Sequence, residues 1–160
     1  MAKARGLIAV DKMGGKVLFL DPQTYETQIT IDGFPRTVHE LLVVPETSLA
    51  YVPIFGDGIH GRNPNPQHFL CIFDLHQRAH VGTIDLRPYI APHTLKLGPD
   101  RLIYITCENS AKVVVIDPGT NKVIEALLWQ QAARGDVLGT GGAQEVADPF
   151  IFLLKEALAH

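Results

Sequence analysis

Hydrophobic positions along this chain fall into short runs that are rich in Ile, Val, Tyr and Thr and are separated by Gly, Pro, Asn and Asp. None of the runs keeps a 3.6-residue period, so they predict β-strands and not helices. The clearest run ends in an aspartate, which is Asp21, Asp74 or Asp117. With the residues that follow the aspartate, it occurs three times, at residues 17–24, 70–75 and 113–121. A second apolar run precedes each copy and a third follows it. The pattern therefore predicts a repeated antiparallel unit.

The spacing of the repeat indicates the type of fold. Asp74 and Asp117 are 43 residues apart, whereas Asp21 and Asp74 are 53 residues apart. An insertion of about ten residues within residues 55–68 accounts for the difference. A period of about 40–45 residues made of short strands is typical of β-propeller blades.

A fourth strand completes each later unit. Residues 39–44 and 93–97 are each followed by Pro and an acidic residue and then by the next apolar run. With the strands labelled A (innermost) to D, the sequence predicts an all-β fold, a β-propeller of about three four-stranded antiparallel blades, the first without its strand A. We expect a propeller domain over residues 1–129, with blades at residues 7–31, 39–86 and 93–128.

Three blades are too few for a closed ring, which needs about four or more. We therefore expect a partial ring, which is either a fragment of a longer propeller or a chain whose end is read out of frame. The alternative is an oligomer that completes the ring by self-association through the open blade edges. Residues 130–147 predict a Gly-rich linker. Residues 148–160 predict a short C-terminal helix, with Asp148 as N-cap and Pro149 at the first helical position.

Several segments resemble the YVTN-type β-propeller repeat family, often called YncE-like. Residues 102–106 are similar to its Tyr-Val-Thr-Asn strand, residues 113–117 to its Val-Ile-Asp strand and residues 119–123 to its Thr-Asn-x-Val turn. Residues 33–40 and 91–94 are similar to its Gly-x-x-Pro-His element. The resemblance implies a seven-bladed propeller that serves as a binding surface or platform and is often periplasmic or secreted. Related propellers include lactonases and haem d1 domains.

Composition excludes several classes of partner. The 160 residues carry a formal charge of −3 with a pI near 6.1, so we expect no nucleic-acid binding. The apolar runs are far shorter than the roughly 20 residues that span a bilayer, so we expect no membrane insertion. The apolar run at residues 7–10 is too short for an export signal, and the compartment is left open.

Candidate site residues converge on one face of the predicted propeller, where the D-to-A and B-to-C loops lie. His39 and His93 occupy the same position of successive blades, at the start of strand A. The inserted loop and the B-to-C loop of the third blade open on the same face. The ligand-binding candidates are His39, Glu40, His60, His93 and Glu108.

Two interpretations of these side chains stay open. His39, Glu40 and His93 have the imidazole and carboxylate ligands that suit a divalent metal such as zinc, the one cofactor that the sequence suggests. Alternatively, each histidine holds a loop of the neighbouring blade in place. The inserted loop is either a lid over a ligand or a neutral insertion.

The recurring aspartates, Asp21, Asp74 and Asp117, are predicted to be turn residues and not acid–base catalysts. No serine stands in a nucleophile-elbow motif, so the sequence argues against a serine hydrolase. The sequence thus predicts a binding or scaffold module for an unknown protein or small polar ligand. The alternative is a metal-assisted, lactonase-like hydrolase with a bound water as nucleophile and no catalytic side chain assigned.

Overall fold

The computed structural model describes residues 6–35, 38, 40–59 and 61–128. It confirms the all-β prediction, because the described residues form eleven strands and one turn of 3-10 helix at Glu108–Ser110. The predicted linker and C-terminal helix lie outside the described residues. The strands are β1 (Leu7–Asp11), β2 (Lys16–Leu20), β3 (Thr27–Ile31), β4 (Leu42–Val44), β5 (Leu49–Ile54), β6 (Phe69–Asp74), β7 (Ala79–Asp85), β8 (Pro92–Leu97), β9 (Ile103–Cys107), β10 (Lys112–Asp117) and β11 (Lys122–Leu128).

The strands form three antiparallel sheets, which we call blades 1, 2 and 3. Blade 1 has the order β1-β2-β3, blade 2 the order β4-β5-β6-β7 and blade 3 the order β8-β9-β10-β11. Within each sheet, strands that are consecutive in the chain are neighbours, as expected of antiparallel meanders. Strand β8 packs beside β4 and β5, so the first strands of blades 2 and 3 lie side by side. Within the described residues, blade 1 consists of the three strands β1, β2 and β3.

The first strands of blades 2 and 3 share an irregularity. In blade 2, Val38 pairs with Ile54 and Leu42 pairs with Tyr51, so four steps along one strand oppose three along the other. Strand β8 has a matching shift between Pro92 and Leu95. This bulge shortens β4 relative to the predicted strand at residues 39–44.

The three turns that follow β2, β6 and β10 are built alike. Each begins with an aspartate whose Oδ1 accepts hydrogen bonds from backbone N–H groups two or three residues later, and these bonds lower the carboxyl pKa. Each ends at a residue with positive φ, which the turn requires. The aspartates are Asp21, Asp74 and Asp117, and the positive-φ residues are Tyr25, Arg78 and Asn121. The prediction that these aspartates are turn residues is confirmed.

The core lies between blades and not within them, because successive side chains of a strand point to opposite faces of its sheet. One cluster joins blades 1 and 2, with Val17 and Phe19 against a set from blade 2. The other joins blades 2 and 3, with Leu70 and Ile72 against a set from blade 3. The two sets are Ala50, Val52, Ile54, Cys71 and Phe73 in blade 2, and Ile103, Ile105, Val114 and Ile116 in blade 3.

The strand connections divide the molecule into two faces. We call upper the face that carries the β1–β2, β5–β6, β7–β8 and β9–β10 connections, and lower the face that carries the aspartate turns. The inserted loop is the β5–β6 connection, so it lies on the upper face. No helix in the described ranges is long and apolar enough to cross a membrane.

Candidate functional site on the upper face

His93 and Glu108 form the centre of the site. His93 is the second residue of β8, and Glu108 directly follows β9. The pairing of Pro92 with Cys107 brings the two side chains together. His93 Nδ1 lies 2.8 Å from Glu108 Oε1, and the side chains are 19% and 11% exposed. A partly buried imidazole and carboxylate at hydrogen-bond distance form a charge-assisted pair when the histidine is protonated.

The bulge in β8 sets the position of His93. At the bulge, the Thr94 N–H donates to Thr106 Oγ1 at 3.1 Å, and the Thr106 hydroxyl donates to the Thr94 carbonyl at 3.4 Å. The threonine side chain thus replaces ladder bonds that the extra residue interrupts. Thr106 is the threonine of the segment that resembles the YVTN motif, so that motif residue supports the strand that carries His93.

The aromatic ring of Phe55 also contacts the imidazole of His93. Its ring centroid is 4.9 Å from that of His93, with the ring planes tilted by 41°. Phe55 is buried and belongs to blade 2, where it directly follows β5, as Glu108 follows β9 in blade 3. The imidazole of His93 therefore contacts a carboxylate from its own blade and an aromatic ring from the preceding blade.

The inserted loop, residues 55–68, closes on itself beside this pair. The Gln67 N–H donates to the Phe55 carbonyl at 3.1 Å, and Asn63 Nδ2 donates to the same carbonyl at 2.7 Å. A Cβ on Gly56, whose φ is +131°, would lie 2.5 Å from the Asn65 carbonyl oxygen. Gln67 in turn accepts from the Ala91 N–H at 2.7 Å. The loop is thus tied to the segment that leads into β8.

A second polar cluster lies on the upper face where β7 ends. Arg87 Nε donates to both carboxylate oxygens of Asp85, at 3.0 and 2.8 Å. These bonds lower the pKa of Asp85 to about 2. His68 Nε2 lies 3.8 Å from Asp85 Oδ1. Asp85 therefore joins the D-to-A connection to the end of the inserted loop.

The structure brings together two of the five ligand-binding candidates, His93 and Glu108. Glu40 is half-buried and lies two residues before β4. His39 and His60 lie outside the described residues. Within the part of the chain that the structure describes, no group of three or more His, Cys, Asp or Glu side chains is arranged to hold a metal ion.

Sequence reasoning missed two residues that shape the site. Phe55 appears in the sequence only as the last apolar residue before the insertion, and its contact with His93 depends on how blade 2 packs against blade 3. Thr106 appears as an ordinary strand residue. Thr106 lies one residue before the end of β9, directly across from residues 92–94, which read Pro-His-Thr. This position is the signal that could have identified it.

Comparison with known proteins supports the fold. No protein-family profile and no curated protein sequence matches this chain. Solved structures do match, and three of them are propeller-type proteins. The chain therefore has a β-propeller-like fold, and it is a partial propeller.

The three structures are distant in sequence. Hydrazine synthase of Kuenenia stuttgartiensis aligns with a TM-score of 0.57 and 18% identity, over 76% of this chain and 32% of its own. The dihydro-haem d1 dehydrogenase NirN, solved in complex with DHE, aligns with a TM-score of 0.56 and 13% identity, over 75% of this chain and 23% of its own. U3-55K aligns with a TM-score of 0.58 and 13% identity, over 77% of this chain and 36% of its own. This chain thus spans about a third or less of their length, and at these identities the likeness establishes the fold alone.

Proposed function

We propose that this chain is part of a YVTN-type, seven-bladed β-propeller and acts as a binding module for a polar ligand on its upper face, beside His93 and Glu108. The observation that carries this proposal is the 2.8 Å contact between the two side chains at the start of an innermost strand. Binding sites of propellers, like those of other folds, are built from loops that a rigid scaffold positions.

The surroundings of the pair favour binding over a purely structural role. The bulge with Thr106 fixes the backbone of the histidine, and Phe55 limits the orientation of its ring. Both polar side chains keep some exposure, so a polar ligand on the upper face can reach them. A preorganised site of this kind loses little conformational entropy when the ligand binds.

Two-dimensional 1H–15N NMR with citrate and glucose as probes tests this proposal. We expect saturable shifts for amides of residues 91–94 and 107–111 with at least one probe, and their loss in His93→Ala. His76→Ala, which alters an exposed histidine of the lower face, is the matched control and should bind as the unmodified chain does. Shifts that survive in His93→Ala, or no shift on the upper face with either probe, would contradict the proposal.

One observation favours a second candidate, a metal-assisted, lactonase-like hydrolase. Glu108 contacts the Nδ1 atom of His93, and a carboxylate in that position orients a histidine that binds a metal through Nε2. With His39 and Glu40 as further ligands, the side chains present have the chemistry that zinc prefers. A bound zinc ion would lower the pKa of a water ligand and so make it a nucleophile.

Metal analysis separates the two candidates. Purified chain and the His39→Ala/His93→Ala double variant are compared by mass spectrometry of bound metals after incubation with zinc and dialysis. A stoichiometric ion that the double variant lacks supports the hydrolase. An equal, substoichiometric metal content in both preparations would rule it out and leave the binding module.

A further inference from the structure

The inserted loop contains a buried oxygen whose hydrogen bonding is incomplete. Asn63 Nδ2 donates to the Phe55 carbonyl at 2.7 Å, and this bond fixes which way round the amide lies. Asn63 Oδ1 is buried, and no donor of the described residues forms a hydrogen bond with it. Because a buried acceptor without a partner is costly, such an atom indicates a bound group that supplies the partner.

A second oxygen lies close to this atom. The Asn65 carbonyl oxygen and Asn63 Oδ1 are both 2.5 Å from the point where a Cβ on Gly56 would lie. The two oxygens are therefore within about 5 Å of each other, the largest separation that two ligands of one calcium ion have when each lies about 2.5 Å from it. A side chain at position 56 would overlap both oxygens, so glycine permits them to converge.

Asp57 adds the negative charge that a cation site needs. Its Oδ1 accepts from the Asn65 N–H at 3.2 Å, and its Oδ2 accepts from Asn65 Nδ2 at 2.6 Å. These bonds hold the carboxylate beside Asn65, and each oxygen keeps a lone pair for a further partner. Among the ion pairs of the described residues, none includes Asp57.

The three groups lie on both arms of the loop. Between Asp57 and Asn63 the chain reverses in a tight turn, in which Ile59 and Arg62 exchange backbone hydrogen bonds at 3.0 and 2.9 Å. The aspartate precedes that turn, and Asn63 and Asn65 follow it. A single ion bound to all three groups would therefore join the two arms at the base of the turn.

We propose that the inserted loop binds a calcium ion through Asn63 Oδ1, the Asn65 carbonyl oxygen and the Asp57 carboxylate, with water as the remaining ligands. Carboxylate, amide and backbone carbonyl oxygens are the ligands that calcium takes, in flexible geometry. A site with one carboxylate is weak, and we expect a Kd of about 0.1–1 mM. The ligand set includes neither His93 nor Glu108, so this site is separate from the proposed binding site and from the proposed zinc site.

Titration of the unmodified 160-residue chain with calcium chloride, followed by NMR, tests this proposal. We expect saturable shifts for the amides of Gly56, Asp57, Asn63 and Asn65, together with a shift of the Asn63 side-chain Cγ in 13C spectra. Magnesium chloride at the same concentration should give much smaller shifts, because magnesium demands near-ideal octahedral geometry and gives up its water reluctantly.

Asp57→Asn should weaken calcium binding by at least about tenfold, since it removes the charged ligand. Its Oδ1 can still accept the Asn65 N–H, so the loop keeps that hydrogen bond. Asp32→Asn is the matched control and should bind calcium as the unmodified chain does, because Asp32 is also an exposed aspartate followed by glycine.

Four results would each overturn the proposal. They are no saturable shift at about ten times the expected Kd, shifts of equal size with magnesium, equal calcium affinity of the Asp57→Asn and Asp32→Asn chains, and shifts centred on His93 and Glu108 in place of the loop. None of these results bears on citrate or glucose binding beside His93, so the two proposals fail separately.

Discussion

The phenolic oxygen of Tyr51 in blade 2 lies 2.7 Å from Asn121 Oδ1 in blade 3, and the tyrosine hydroxyl donates that hydrogen bond. Tyr51 is fully buried, and Asn121 is the positive-φ residue that ends the turn after β10. Burial, followed by the nearby charge of Asp117, raises the pKa of Tyr51 to about 12. The turn after β10, which recurs with the repeat, thus also holds blade 3 against blade 2.

Tyr51→Phe removes this link between blades and leaves the packing of the ring unchanged. We expect the free energy of unfolding to fall by about 1 kcal/mol in urea titrations, since a partly buried acceptor loses its donor. Tyr104 occupies the same position in blade 3 but donates to Asp100 of its own blade, on the surface. Tyr104→Phe is therefore the matched control and should lower the free energy of unfolding by less. An equal or larger decrease for Tyr104→Phe would contradict the role given to Tyr51.

Position 15 requires glycine chiefly because there is no room for a Cβ atom, and less because of its positive φ. Its φ of +61° is shared by Ala111 in the equivalent turn, whose φ is +49°, so alanine can adopt this backbone. A Cβ on Gly15, however, would lie 2.5 Å from the Phe34 carbonyl oxygen. Gly15→Ala should lower the thermal midpoint clearly more than Gly33→Ala, whose φ is +88° and whose Cβ would meet nothing within 4 Å. Similar midpoints for the two variants would refute the steric argument.

Ile105 lies in the core between blades 2 and 3 and is fully buried. Ile105→Ala removes methyl groups from a packed interface, and we expect a loss of about 2–5 kcal/mol in the free energy of unfolding. Val81→Ala, at an exposed position of β7, is the control and should change stability by less than about 0.5 kcal/mol. If Ile105→Ala proves no more costly than that control, blades 2 and 3 do not pack as described.

Acid should destabilise the fold through its surface carboxylates. The pKa of Asp85 is lowered to about 2, chiefly by the side chain of Arg87, and the pKa values of Asp21, Asp74 and Asp117 are lowered by backbone N–H groups. Because the folded pKa values lie below the unfolded ones, these groups stabilise the fold above about pH 4 and lose that effect as pH falls toward about 2. Unfolding free energies measured from pH 6 to pH 2 should fall, and less steeply for Asp85→Asn. Parallel curves for the two proteins would argue against this assignment.

The strands were predictable because each is a short apolar run bounded by strong turn residues, and the turn aspartates recur with the repeat. The run at residues 102–106 was therefore found as β9, and the turn after Asp117 was assigned correctly. Strand β4 was predicted too long, because a bulge depends on which residues pair across strands and leaves no mark in a single apolar run.

The site was only partly predictable. Shared repeat position and topology indicated that His93 and Glu108 lie on one face, and the structure places them in contact. The contact of His93 with Phe55 crosses between blades, so it depends on the packing of sheets that are distant in the sequence. A pattern within one blade carries no information about that packing.

The central claim is that the three repeats pack face to face as successive propeller blades. Inter-residue nuclear Overhauser effects in the isotope-labelled chain test it most directly. We predict contacts from the Tyr51 ring to Asn121 and Pro118, and from the Phe73 ring to Phe34, alongside the cross-strand contacts of each sheet. Cross-strand contacts within the sheets without any contact between Tyr51 and the turn after β10 would contradict it.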